Sequence, residues 1–416
     1  MYIEKELSNG IRVIAEKIDY LRSVSIGVWV GNGSRHEAER ENGMSHFIEH
    51  MLFKGSSKRS AAEIASAIDS VGGELNAFTA REYTCFYTRT LDAHAELAVD
   101  VLSDMLLRPL LTESDMDMER RVVMEEIRMD DDSPAALADN MYYATVWCGT
   151  SAGRPILGTP ESLSGITPEL MRGYMRTHYT TQNIVIAVSG SFDGSLFDML
   201  ERYFGCYDVK LSPPPLPEAR FTHGHAFRQK DIEQVQLIAG FDGIDIMDEA
   251  VYPLLVFNNV FGDGMSSRLF QNIREKEGLV YSVFASHGAL TGTGTFDIMA
   301  EMSAENFERV CELIDREIRA VRRDALSEQE VERAKEMLKG RYMLSYESTS
   351  QRMESAGRSL LANKRVYSPE EVIRRIDEVN VSSIAGIIER LFGNGAAATA
   401  VLGPLTNADA AKSINL

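Results

Sequence analysis

The sequence predicts an α+β protein of two similar domains from an internal duplication, each a mostly antiparallel sheet with helices packed on one face. Three observations predict this class. A proline-rich segment divides the chain near its middle, both halves show the same order of strands and helices, and equivalent segments lie at a nearly constant offset. Short strand pairs interrupted by helical blocks are typical of α+β layers.

The segment LSPPPLPEAR, residues 211–220, contains four prolines and separates the two halves. A chain of 416 residues is long enough for two or three domains of ordinary size. We therefore predict one domain at 1–210, a linker at 211–221 and a second domain at 222–416.

In the first half, apolar residues alternate in RSVSIGVWVG (22–31), which predicts a strand. The other predicted elements of this half are, in order, helices at 42–54 and 61–71, the strands LNAFTARE and YTCFYTRT, helices from 91 to about 178, and the strand IVIAVSG at 184–190. Gly72 and Gly73 separate the second helix from the strand pair.

The second half repeats this order of elements. It comprises the strand QVQLIAGF (234–241), helices at 248–261 and 265–277, the strands LVYSVFASH and GTFDIMAEM, several helices, and the strand ATAVLG (397–402). The strands at 234 and 397 follow their counterparts at 22 and 184 by 212 and 213 residues. A constant offset over whole halves indicates a duplicated domain.

Composition argues against two classes of protein. The 43 basic and 62 acidic residues give a net charge of -19, which disfavours nucleic-acid binding because that needs clustered Lys and Arg. No run of about 18 apolar residues occurs, so no membrane span is predicted.

The compartment is predicted from the amino terminus and the cysteines. The start, MYIEKELSNG, lacks the apolar core of a signal peptide. The four cysteines lie far apart without a C-x-x-C pair, which predicts reduced, mostly buried thiols: Cys85, Cys148, Cys206 and Cys311. We therefore expect a cytoplasmic protein.

The segment HFIEH, residues 46–50, places ionisable side chains in an otherwise apolar helix. His46 and His50 lie one turn apart, and Glu49 shares their face. Two imidazoles at this spacing can hold one cation in tetrahedral geometry, for which zinc is the usual metal. A carboxylate on that face can take a proton from water, and H-x-x-E-H is a metalloprotease signature. The alternative is a solvated polar helix face, which a five-residue match does not exclude.

The helical segment ESDMDMERRVVMEEIRMDDD, residues 113–132, supplies candidate carboxylates. Helical phase places Glu119 and Glu126 in the middle of an apolar arc and Glu125 at its edge. The apolar residues of this arc are Met116, Val122, Val123, Ile127 and Met129. A buried carboxylate is costly unless it is paired or bound to metal. We predict Glu126 as the third ligand and Glu119 as a carboxylate that supports a ligand or faces the substrate. The alternative is a fraying acidic helix with both groups in water.

Together these motifs resemble the pitrilysin, insulysin and mitochondrial processing peptidase family. H-x-x-E-H is followed 76 residues later by a glutamate, with another glutamate seven residues before that one. The segment GVWVGNGSRHEAERENGMSHFIEHMLFKG resembles the family's active-site segment, and GGELNAFTAREYTCFY its substrate-binding edge strand. GMSSRLFQNIREKEGLVYS resembles the segment that supplies an arginine and a tyrosine to the substrate. The resemblance covers nearly the whole chain, including the duplication.

The resemblance implies one Zn2+ ion per chain, bound by His46, His50 and Glu126. It implies Glu49 as the general base and Glu119 as an auxiliary catalytic carboxylate. The predicted helices at 248–261 and 265–277 contain no histidine, so no second catalytic metal is expected in the second half.

The resemblance also implies a substrate site. Arg274 and Tyr281 would bind the substrate, and Tyr281 would help to stabilise the oxyanion. The edge strand would pair with an extended peptide, which gives affinity with little sequence demand; an ordinary interior strand is the alternative. The predicted peptide-binding residues of this strand are Asn76, Ala77, Phe78 and Thr79.

These residues predict a zinc metalloendopeptidase that hydrolyses peptides or unfolded polypeptide segments, bound as an extended strand in a chamber between protomers. The chain has about half the length of the family's long members, so the resemblance implies a partner, and a homodimer is the simplest choice. The alternative is a non-catalytic peptide-binding subunit of a processing-peptidase-like complex. The intact set of His46, Glu49, His50 and Glu126 argues against that alternative.

Overall fold

A computed structural model describes residues 2–363, 365–393 and 395–410. The chain forms two compact units. Unit 1 consists of Met1–Ile127, Arg154–Pro217 and Leu344–Ser368, and unit 2 of Arg128–Gly153, Glu218–Met343 and Pro369–Leu416. Each unit therefore contains one segment from the other half of the sequence, so the units are not contiguous stretches of chain.

Most predicted strands and helices of the first half lie where the periodicity placed them. The elements are β1 (Tyr2–Glu6), β2 (Arg12–Lys17), β3 (Ser23–Val30), α1 (Met44–Leu52), α2 (Ala61–Asp69), β4 (Glu74–Thr79), β5 (Thr84–Leu91), α3 (Ala95–Leu107), α4 (Glu113–Asp132), α5 (Pro134–Val146), α6 (Pro160–Ser164), α7 (Pro168–His178), β6 (Ile184–Gly190) and α8 (Leu196–Phe204). The predictions missed β1 and β2, which a turn joins: the Gly10 N–H donates to the Leu7 carbonyl, and Gly10 has a φ of 97°.

The second half follows the same plan. Its elements are β7 (His225–Gln229), β8 (Val235–Asp242), α9 (Val251–Phe261), a π-helical turn (Phe270–Glu275), β9 (Ser282–Leu290), β10 (Thr293–Met302), α10 (Phe307–Arg323), α11 (Glu328–Ser345), α12 (Thr349–Asn363), α13 (Pro369–Asp377), α14 (Val381–Phe392), β11 (Ala398–Gly403) and α15 (Asn407–Ala410). The helix predicted at 265–277 is present but shorter, because helical residues cover only 268–275 and turns flank them; Phe270–Glu275 are π-helical. Strand β7 was also not predicted.

The two sheets share one strand order, which confirms the predicted duplication. Unit 1 has the order β1-β2-β6-β3-β5-β4, and unit 2 has β7-β11-β8-β10-β9. Only the neighbours β2 and β6, and β7 and β11, are parallel. The other neighbouring strands are antiparallel. Apart from the extra edge strand β1, each strand of unit 1 has its counterpart in unit 2.

One helix in each unit comes from the other half of the sequence. Helix α12 packs on β3 and β6 in unit 1, and α5 packs on β8 and β11 in unit 2. In unit 1 the contact joins Met353, Ala356 and Leu360 to Ile14, Trp29, Cys85 and Val185 of the sheet. The main core of unit 1 lies on the other sheet face. The helices on one face are therefore as predicted, and an exchanged helix covers the second face.

Two equivalent glycines allow the exchanged helices to approach the sheets. Gly27 on β3 and Gly240 on β8 are 213 residues apart. A Cβ on Gly27 would overlap the sulfur of Met353, and a Cβ on Gly240 would overlap the hydroxyl of Tyr142. The bare backbone at both positions thus leaves room for the exchanged helix.

A buried polar cluster fixes α5 on the sheet of unit 2. The Tyr142 hydroxyl donates to Oδ1 of Asp297, and Oγ1 of Thr295 donates to Oδ2 at 2.8 Å. Both Asp297 oxygens therefore have a donor although the residue is buried. Burial raises the pKa of Asp297 to about 7.

Two further features of the structure concern membrane-spanning helices and the cysteines. In the described part of the chain no helix is both long and apolar enough to cross a membrane. The cysteines are free, but the prediction of mostly buried thiols is correct for only two of them. Cys85 and Cys311 are buried, whereas Cys148 and Cys206 are exposed.

Candidate metal centre

Helix α1 carries the H-x-x-E-H motif and packs into the core of unit 1. Its inward residues are fully buried: Met44, Phe47, Ile48, Met51 and Leu52. These apolar side chains anchor one face of the helix in the core, so His46, Glu49 and His50 project together from the opposite face. The burial pattern thereby fixes which way the candidate ligands point.

His46, His50 and Glu126 converge in unit 1. Oε2 of Glu126 lies 3.4 Å from Nε2 of His50 and 3.7 Å from Nε2 of His46. One potential ligand atom from each residue lies within 4.8 Å of the others. Ligand atoms of a tetrahedral zinc ion, bound at about 2.0–2.1 Å, lie about 3.3 Å apart. The three groups therefore have a spacing close to that required by one zinc ion.

The protonation state of His46 also suits a metal ligand. Burial, with a further contribution from His50, lowers the pKa of His46 to about 3. The ring is therefore neutral at pH 7, and its lone pair is available to a cation. Two imidazoles and one carboxylate form a donor set that zinc accepts, so these residues fit the ion implied by the sequence.

The predicted auxiliary carboxylate contacts one of the candidate ligands. Oε1 of Glu119 lies 3.0 Å from Nδ1 of His50, and its Oε2 lies 2.5 Å from Nζ of Lys54. The buried carboxylate accepts the Nδ1–H of His50, which leaves the lone pair of Nε2 available to a metal ion. Sequence reasoning missed Lys54, which lies two residues beyond the end of α1.

Glu49 lies on the same helix as the two candidate histidine ligands without being one of the three converging groups. Its Oε2 accepts a hydrogen bond from the Thr79 hydroxyl at 2.5 Å. Burial raises the pKa of Glu49, opposed by Thr79 and His50 and reinforced by Glu126. A carboxylate with a raised pKa is a better proton acceptor than an ordinary one.

Strand β4 is the edge of its sheet, so the alternative of an interior strand does not apply. The N–H of Ala80 donates to the carbonyl of Tyr83 in the β4–β5 turn. By alternation, the backbone groups of Leu75, Ala77 and Thr79 point away from β5. These three residues can therefore offer hydrogen bonds to a further strand.

The remaining predicted residues of β4 lie at the same edge. Asn76 is exposed, and its Oδ1 accepts the N–H of Ala77 at 2.8 Å. The Phe78 ring packs edge-on against Trp29 at a centroid distance of 5.7 Å. A peptide that paired with β4 would have to displace the Asn76 side chain from the Ala77 N–H.

Arg274 and Tyr281 belong to unit 2. Arg274 is exposed in the π-helical turn, with its guanidinium carbon 4.8 Å from the centre of the Phe270 ring. Tyr281 is 68% exposed, and its N–H donates to the carbonyl of Glu301 at 2.8 Å. Both side chains are accessible on the surface of their unit. In the described portion of unit 2, no three His, Cys, Asp or Glu side chains converge as a potential metal site.

Two family models match the chain. Residues 12–160 match the model described as insulinase (peptidase family M16), and residues 165–338 match the one described as peptidase M16 inactive domain. This chain belongs to the M16 peptidase family. The candidate metal ligands fall within the first of these M16 regions, and Arg274 and Tyr281 within the second.

Similar M16 proteins occur in several bacteria. An uncharacterized zinc protease of Bacillus subtilis (strain 168), YmxG, is 40% identical over 384 residues, which span 92% of this chain and 94% of that protein. An uncharacterized zinc protease of Mycobacterium leprae (strain TN) is 37% identical over 404 residues, 96% of this chain and 91% of that protein.

Solved structures share the fold of this M16 chain. A crystal structure described as the peptidase M16 inactive domain from Pseudomonas fluorescens has a TM-score of 0.91 at 18% identity and covers 97% of this chain and 98% of that one. The crystal structure of a protease from Helicobacter pylori has a TM-score of 0.89 at 19% identity and covers 97% of this chain and 99% of that one. At these identities the similarity concerns the fold, two α+β domains of the same plan.

Proposed function

We propose that this M16 protein is a zinc metalloendopeptidase acting on peptides or unfolded polypeptide segments. The observation that carries the proposal is the convergence of His46, His50 and Glu126. The two histidines and the neighbouring Glu49 form the H-x-x-E-H motif, and Glu126 comes from α4. The names of the similar bacterial proteins as zinc proteases support zinc as the metal. One ion per chain follows from the single converging group in the described residues.

The proposed chemistry assigns a role to each nearby side chain. A zinc ion held by His46, His50 and Glu126 would keep one position open for water and would lower the pKa of that water to about 7. Glu49, held by the Thr79 hydroxyl, would accept a proton from the water as the water oxygen bonds to the scissile carbonyl carbon, and would pass that proton to the amine as the C–N bond breaks. Glu119 orients the ring of His50.

Substrate binding uses both sequence halves in this proposal. An extended peptide pairs with the outward backbone groups of β4, so its affinity depends little on its sequence. Tyr281 donates a hydrogen bond to the developing oxyanion, and Arg274 binds the substrate. The chain acts as a homodimer, in which a peptide-binding chamber forms between protomers.

The first test measures metal and activity together. The wild-type protein should contain about one zinc per chain, and the variants His46→Ala and His50→Ala should lose both metal and turnover. Glu49→Gln should keep its zinc but lose about 10²-fold or more in turnover, because general-base catalysis contributes that much. A double histidine variant that retains full metal, or a metal-free Glu49→Gln, would contradict these roles.

A complementation experiment tests whether Arg274 and Tyr281 act on the partner's zinc. Glu49→Gln and Tyr281→Phe homodimers should each be nearly inactive. Random exchange between them makes about half the dimers mixed, and each mixed dimer has one intact site if the tyrosine acts in trans. Activity should then recover to about a quarter of wild type.

The same mixture distinguishes the cis arrangement. If each chain supplied Tyr281 to its own zinc, every site would carry one defect and no activity would return. Co-expression of two differently tagged chains and tandem purification of the mixed dimer provides the control for exchange. A purified mixed dimer without activity would rule out the trans arrangement.

A further inference from the structure

Glu37 is a buried residue whose carboxylate contacts the start of the motif helix α1. Its Oε1 accepts the N–H of Ser45 at 2.7 Å, and its Oε2 accepts the N–H of Gly43 at 2.8 Å and Nδ2 of Asn42 at 3.3 Å. The residue is only 2% exposed. Ser45 directly precedes His46, so the carboxylate holds the backbone from which the first histidine projects.

The conformation of Gly43 explains why the cap comes from a residue six positions earlier and not from the N-cap itself. Gly43 is the N-cap of α1 and has a φ of 89°, a left-handed conformation that favours glycine. A Cβ at this position would lie 2.7 Å from the carbonyl oxygen of Leu157. A capping Ser, Thr, Asp or Asn is therefore excluded at position 43. The first N–H groups of a helix still need an acceptor, and Glu37 supplies it.

We propose that Glu37 is a positioning residue for the metal site. By fixing the first turn of α1, it keeps His46 at the distance from His50 and Glu126 that one divalent cation requires. A negative charge is also favourable at a helix N-terminus. The inference rests on the proposed zinc-binding function, and it assigns to a loop residue outside the H-x-x-E-H motif a share of the metal affinity.

His46 depends on this backbone support more than His50 does, because no described side chain holds its Nδ1. Nδ1 of His50 is held by Glu119 at 3.0 Å. In contrast, Nδ1 of His46 is buried and has no hydrogen-bond partner among the residues that the structure describes. A shift of the first turn would therefore move the His46 ring without a hydrogen bond at Nδ1 to oppose it.

The test compares the loss of two helix caps in unit 1. Glu37→Gln replaces one carboxylate oxygen by an amide nitrogen, which cannot accept a backbone N–H. Ser60→Ala is the matched control: it removes the hydroxyl that accepts the Glu63 N–H at the start of α2, at 3.4 Å. Both variants lose a cap, but only Glu37→Gln affects the helix that bears the histidines.

Zinc affinity is measured on the folded metal-free proteins by competition with a chromophoric chelator. We expect Glu37→Gln to bind zinc about tenfold more weakly, the scale found when a group that orients a ligand is lost. Ser60→Ala should bind zinc as tightly as wild type, even where it lowers the melting temperature.

The zinc affinities of the variants distinguish a positioning role of Glu37 from a purely stabilising one. Unchanged affinity in folded Glu37→Gln would overturn the positioning role while the proposed function stands. An equal loss of zinc affinity in both variants would also overturn the positioning role, because it would show that Glu37 only stabilises unit 1 in general. A wild-type protein without zinc would contradict the proposed function, and this inference with it. If Glu37→Gln does not fold, Glu37→Asp retains the charge on a shorter side chain that cannot reach both N–H groups, and unchanged affinity there would equally overturn the role.

Discussion

The buried carboxyl group of Asp297 predicts a pH-dependent stability of unit 2. Burial raises its pKa from 3.8 to about 7. Between these values the folded protein keeps the proton, whereas the unfolded chain releases it. Because the folded state binds more protons in this window, the free energy of unfolding falls as the pH rises through it. Above about pH 7 the group is ionised in both states, and its contribution becomes constant.

The size of the effect follows from the two pKa values. A tenfold change in proton binding corresponds to about 1.4 kcal/mol. The contribution of Asp297 to the free energy of unfolding should therefore fall by about 1.4 kcal/mol for each pH unit between pH 5 and 7. Over the whole window, about three pH units, the loss is about 4 kcal/mol.

The assay compares the parent protein with Asp297→Asn, whose side chain does not titrate. The chain has two tryptophans, Trp29 in unit 1 and Trp147 in unit 2. Trp29→Phe therefore leaves Trp147 as the fluorescence reporter of unit 2. Urea unfolding is followed at pH 5, 6, 7 and 8 with a chelator present, so that bound metal does not contribute to stability.

The expected result is a stability difference between parent and variant that moves against the parent by about 1.4 kcal/mol for each pH unit from 5 to 7. The parent is favoured at low pH because the protonated carboxyl group is tolerated in the core. At higher pH it carries the cost of a buried charge, which the amide avoids. A difference that stays the same at all four pH values would refute the reasoning.

Two further predictions concern the candidate site. Glu126→Gln should weaken zinc binding strongly in a chelator competition, whereas Glu125→Gln on the exposed neighbouring position should change it little; the reverse order would assign the ligand to Glu125. Thr79→Val removes the hydroxyl that donates to Glu49, so zinc content should stay at the wild-type value while turnover falls several-fold. Thr79→Ser should retain most of the activity, and a Thr79→Val enzyme as active as wild type would show that this hydrogen bond is dispensable.

Local pattern predicted the parts of the fold that depend on a single element. Alternation located β3, and the i to i+4 spacing brought His46 and His50 to one helix face. The prediction for α4 was less accurate. Val122 and Met129 were placed in its apolar arc, but they are 43% and 70% exposed. Apolar residues are common on protein surfaces, so helical phase alone assigned too many apolar residues to the buried face of α4.

The features that sequence reasoning missed depend on long-range contacts. The pattern of α5 predicts a helix but does not specify the sheet on which it packs. Likewise, Glu37 reads as an ordinary polar loop residue, because its role depends on the left-handed Gly43 and on the Leu157 carbonyl. Such roles become visible only when distant segments are brought together.

The exchange of α5 and α12 also bears on how the duplicated chain arose. A half-length ancestor with this plan would leave one sheet face bare, with residues such as Trp29 or Tyr142 exposed. Two copies could cover both faces by swapping the helix, a low-cost route to a dimer. Fusion of the two genes would then preserve every contact and need only a connecting segment, such as the proline-rich one at 211–220. By the same logic, the two halves made as separate polypeptides should aggregate alone and assemble when they are produced together.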